Sequence, residues 1–65
     1  MTQEEFAALS NSLSDKLEVH RQEIISLAHR RMDLDMYKEV RKMRRTSRDF
    51  NKLWQEANQL GLLDQ

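Results

Sequence analysis

The chain has no cysteine, no proline and a single glycine, Gly61, almost at its end. Without cysteine there are no disulfides and no thiolate metal sites. Without proline or an internal glycine, residues 1–60 contain no strong helix breaker. Aromatics are few: Phe6, Tyr37, Phe50 and Trp54. No apolar run approaches the roughly 18 residues needed to span a membrane. The first residues, Met1-Thr2-Gln3-Glu4-Glu5, are acidic and lack the apolar core of a signal peptide. The expected compartment is cytoplasmic, with no membrane association. Net charge is also absent, because 11 Lys and Arg balance 11 Asp and Glu. Overall charge therefore selects no partner.

What remains is a 65-residue chain rich in Glu, Lys, Arg, Gln, Leu, Met and Ala, all good helix formers. A chain this short buries only about 60% of its unfolded surface and is marginal alone. His20 and His29 have no acidic or cysteine cluster at ligand spacing, so no metal or other cofactor is expected. Oligomerisation or very regular helix packing must then supply the stability.

Thr2 followed by Glu5 has the spacing of a capping box and starts a first helix. Gly61 sits where the residue after a helix end is expected. Between them the apolar spacing decides between one helix and two. Leu13, Leu17, His20, Ile24 and Leu27 recur in steps of 4 and 3. Continued, that seam would use Arg31, Leu34, Lys38, Arg41, Arg45, Arg48 and Lys52, a charged stripe that cannot form a core. The apolar residues of the second half instead read Met36, Val40, Met43, Ser47, Phe50, Trp54 and Ala57. This seam is offset by two residues, about 200° of rotation. A turn lets it fold back onto the first.

The expected fold is all-α, an antiparallel helical hairpin forming a single domain over residues 1–65. Its helices cover about 13–32 and 36–60, with a turn within 31–35 capped by Asp33 or Asp35. Residues 1–11 extend the first helix or form a short one, since Ser10, Asn11, Ser12 and Ser14 compete with helix by local hydrogen bonding. A turn centred between Asp33 and Leu34 would pair Leu27 with Val40, Ile24 with Met43, His20 with Ser47, Leu17 with Phe50, and Leu13 with Trp54. The polar members His20 and Ser47 would then share one layer and set the register.

Apolar residues remain outside the seams, and they suggest an interface. Val19, Ile25, Ala28 and Met32 lie off the first, and Tyr37, Leu53, Leu60, Leu62 and Leu63 off the second. Ile25, Ala28, Met32, Tyr37, Leu53 and Leu60 are the candidate interface, most simply in a two-fold dimer forming a four-helix bundle. Lys38, Arg41, Arg45, Arg48 and Lys52 line one face and are candidates for contacting nucleic acid or another anion. The competing expectation is a solvated face whose arginines pair with Glu39, Asp49 or a neighbouring chain. No acid, base and nucleophile converge at recognisable spacing, so an enzyme is not expected.

The functional expectation is a small non-enzymatic regulator or adaptor acting through protein–protein contacts, with itself as the first partner. Two alternatives stay open. One is a nucleic-acid-binding regulator using the basic stripe. The other is a small subunit or chaperone that folds only with a different protein.

Overall fold

The computed structural model describes residues 1–63. It is all-helical: α1 spans Gln3–His29 and α2 spans Asp33–Gln59, packed antiparallel as a hairpin. Each helix has 27 residues, about 40 Å at 1.5 Å per residue. The molecule is accordingly a rod of 44 × 15 × 15 Å. No helix of the described residues is long and apolar enough to cross a membrane.

Thr2 caps α1, its hydroxyl accepting the Glu5 backbone N–H at 3.1 Å. Glu4 and Glu5 in the first turn complement the positive helix end. The helix runs without a break through Ser10–Ser14. Phe6 and Ser10 continue the Leu13–Leu27 seam at the same 4 and 3 steps and are half-buried. Packing against α2 thus outweighs the local hydrogen bonding of the serines and asparagine.

The turn is Arg30–Met32, earlier than the apolar spacing suggested. Arg31 adopts φ 56. Its N–H donates to Ala28 C=O at 3.1 Å, and the Met32 N–H donates to Leu27 C=O at 3.0 Å. This pair of bonds is the Schellman stop. The same stop closes α2, with Gly61 at φ 73, its N–H on Asn58 C=O at 3.1 Å and Leu62 N–H on Ala57 C=O at 2.9 Å. Neither Asp33 nor Asp35 is the N-cap. Met32 takes that position without a side-chain cap, and both aspartates sit in the first turn of α2. There they still face the positive end of the helix.

The earlier turn changes the register. Moving its centre from between Asp33 and Leu34 to Arg31 shifts the facing register by about five residues, more than one helical turn. His20 meets Glu39 at 2.7 Å and Thr46 at 3.3 Å, not Ser47. Trp54, expected opposite Leu13, packs edge-on against Phe6, with ring centroids 5.2 Å apart. It also stacks with Phe50 at 6.0 Å.

The α2 seam shifts as well. Met36, Met43, Phe50 and Ala57 are half-buried or buried, as the spacing suggested. The intervening positions belong to Glu39, Thr46 and Leu53 rather than to Ser47 and Trp54. Leu53 is buried, Ser47 is exposed, and Trp54 keeps 41% of its surface in contact with solvent. Val40 is half-buried at the seam's edge. The buried core among the described residues is only Leu27, Leu53 and Ala57.

Candidate functional site

Three features of the surface and seam carry chemistry. The first is the polar layer in the middle of the hairpin. The His20 Nδ1 lies 2.7 Å from Glu39 Oε1, and its Nε2 lies 3.3 Å from the Thr46 hydroxyl. That hydroxyl also reaches the Lys42 carbonyl at 3.3 Å. The His20 hydrogen bond, with the Lys42 charge 3.5 Å away, holds the Glu39 carboxyl below the usual carboxylate range. Carboxylate, imidazole and hydroxyl follow in the order of a nucleophilic triad. Acyl transfer would further need oxyanion donors and a recess for substrate at the hydroxyl. Here the hydroxyl sits on a helix whose neighbouring N–H groups close the helical ladder. The layer satisfies its own polar groups, and no buried side-chain polar atom is left unpaired among the described residues. Its evident physical effect is to pin register between α1 and α2.

The second feature is the outer face of α2, opposite α1. Arg41, Arg44, Arg45 and Arg48 line a shallow recess of about 210 Å³. Lys38, Arg41, Lys42 and Arg45 line an adjoining one of about 330 Å³. Arg41 and Arg45 border both, so the two recesses adjoin on one cationic face. Lys52 lies further along the same stripe and is exposed. Arg44 was not among the stripe residues expected from the sequence. Its spacing contained the signal, three residues after Arg41 and four before Arg48.

Ion pairing leaves this face largely uncompensated. Glu39 is engaged by His20 and Lys42. Arg21 is held on α1 by Glu18, in two bonds of 2.8 and 3.0 Å. Together with Gln22, Arg21 draws the exposed Glu18 carboxyl down to about 2. Arg30 pairs with Glu23 at 3.7 Å. Among the described residues, Arg41, Arg44, Arg45 and Arg48 have no acidic partner within 4.0 Å. Asp49, expected to pair with them, does not do so.

The third feature is apolar surface left in water. Ile25, Met32, Tyr37 and Leu60, four of the candidate interface residues, are 39–59% exposed, and Ala28 is exposed too. Leu53 is different, being buried in the seam against α1 and unavailable to a partner. Leu62 and Leu63 are half-buried. Leu9, Leu34 and Trp54 add exposed apolar area that the sequence reading did not place on an interface. Leu9 and Leu34 fall off both seams, which was visible in the spacing. Trp54 could not be separated from the core without the register.

Among the described residues, no three His, Cys, Asp or Glu side chains converge to hold a metal. No protein-family model, curated protein or solved structure matches this chain.

Proposed function

We propose that this chain is a non-enzymatic regulator or adaptor that acts by binding, and that it associates with a second copy of itself as a four-helix bundle. The supporting observation is the imbalance between core and surface. Among the described residues three are buried, while Leu9, Val19, Ile25, Met32, Leu34, Tyr37, Trp54 and Leu60 are 39–70% exposed. A hairpin with so thin a core gains from covering that area.

The shoulder that would be covered follows from the seam. Ile25 and Ala28 lie one and four residues after the seam residue Ile24. Tyr37 and Val40 stand in the same relation to Met36, and Trp54 follows Phe50 by four. Antiparallel helices turn equivalent shoulders to the same side of the pair, so these five residues share a flank. A two-fold axis across that flank brings it against its own copy. The opposite flank carries Lys16, Glu23, Lys42 and Asp49 beside the exposed Leu9 and Val19, and is the more polar of the two.

Light scattering on the purified chain at low and high salt tests this. A mass twice the 7.8 kDa of one chain, unchanged by salt, is expected for an apolar interface. A fully helical monomer overturns self-association. A partly helical, polydisperse chain overturns it too, and points to a different protein that completes the fold.

A further inference from the structure

We propose that the outer face of α2 binds the phosphate backbone of double-stranded nucleic acid, with Arg41, Arg44, Arg45 and Arg48 as the contacting groups. The inference does not depend on self-association.

The first argument is supply of charge. Between Lys38 and Arg48, six cations stand against one acid, Glu39, and that acid is already engaged by His20 and Lys42. The four arginines have no acidic partner within 4.0 Å among the described residues. They border two adjoining shallow recesses on the face turned away from α1. Like charges at i, i+3 and i+4 destabilise a helix. A polyanion relieves that repulsion.

The second argument is geometry. From Lys38 to Lys52 the stripe runs about 21 Å along a straight helix, with neighbours about 5–6 Å apart. Guanidinium groups grip phosphate oxygens through two parallel hydrogen bonds. A duplex presents one negative charge per roughly 1.7 Å of axis, so several fall within reach of the stripe. Because α1 lies behind α2, the cationic face meets the duplex unobstructed.

The third argument is what the face lacks. Neither recess is lined by an aromatic side chain, and the exposed aromatic beside the stripe, Tyr37, is a single platform where single-strand binding stacks successive bases on several. The exposed apolar residues beside the stripe are Leu34 and Tyr37, too few for insertion into a lipid surface, where cations work beside a broad apolar face. The duplex backbone, which needs charge alone, fits best.

The test is fluorescence anisotropy with labelled DNA and RNA duplexes of mixed sequence, about 20 base pairs long, against single strands, polyglutamate and phosphatidylserine vesicles. Four phosphate contacts predict a slope near −3.6 in log K against log salt, roughly a 100-fold loss of affinity between 50 and 200 mM. Binding to either duplex with that slope supports the proposal. Arg41→Ala, Arg45→Ala and Arg48→Ala together should weaken it at least 10-fold and flatten the slope. The three positions are exposed, and circular dichroism checks that helicity is kept. The corresponding Lys variant should retain most of the slope, and it decides the matter if the Ala variant loses helix. No duplex binding, equal binding by the Ala variant, or tighter binding to polyglutamate, vesicles or single strands overturns it.

Discussion

Arg31 is the residue on which the hairpin turns, and it does so against its preference. An L-residue in the left-handed region costs about 1–2 kcal/mol, and Arg31 sits there at φ 56. Glycine accepts that conformation freely but adds entropy to the unfolded chain. Arg31→Gly should therefore raise stability by about 0.5–1 kcal/mol, seen as a Tm several degrees higher. An unchanged or lower Tm would mean that the arginine side chain stabilises the turn in another way. Glu39 carries the pH dependence at this scale. Its folded carboxyl titrates below the ordinary 4.5. As the pH falls, the unfolded chain takes up the proton first, so the contribution present near neutrality is lost below about pH 4.5. Glu39→Gln should lower Tm at pH 7. Its difference from the parent should shrink as acid protonates Glu39 in the parent. A Tm gap that stays constant down to pH 3 would remove Glu39 from the account.

At the scale of the element, α2 shows how two ladders compete within one helix. Met36, Met43, Phe50 and Ala57 repeat every seven residues and belong to both. Between them the chain offers Val40, Ser47 and Trp54 on one shoulder and Glu39, Thr46 and Leu53 on the other. Hydrophobicity alone favours the first set, since it contains Val and Trp, whereas the second contains a charged residue. The structure uses the second because His20 across the seam satisfies both Glu39 and Thr46. The two readings separate by substitution. Leu53→Ala should cost at least about 2 kcal/mol, as for a buried leucine. Ser47→Ala should change stability by less than about 0.5 kcal/mol, as for an exposed site. Chemical denaturation that ranks these two the other way round would restore the first ladder.

At the scale of the whole molecule, the rod separates its properties by face. Acidic residues gather toward the start of α1, cations on the outer side of α2, and Ile25, Ala28, Tyr37, Val40 and Trp54 on one flank. Zero net charge hides this division. The flank makes the prediction at this scale: Ile25→Glu with Tyr37→Glu should halve the solution mass while leaving the helical signal in place once the chain is concentrated. Both side chains are 40% or more exposed in one hairpin, so the substitutions leave the intramolecular seam intact. A mass that does not move would place the contact on another face. Duplex binding is read on the parent chain, because the acid of Tyr37→Glu would stand four residues before Arg41 and pair with it.

The amino-acid sequence by itself determined that the chain is helical, that it reverses direction once, and where its cations line up. These follow from propensity, from the absence of breakers and from a 3.6-residue period, all of which are local. Phe6, Leu13, Leu17, Ile24 and Leu27 were assignable to one stripe for the same reason, although Phe6 joins it only once α1 is known to run unbroken from Gln3. The turn was hidden because its left-handed position holds Arg31, where the usual signal is Gly or Asn. Moving the turn by a few residues shifts the facing register by about twice as many, more than a helical turn. Register, the partner of His20, the burial of Leu53 and the exposure of Trp54 all depended on that one quantity. They were decided only when the two helices met, because a polar layer with matched hydrogen bonds is a property of both helices and of neither alone.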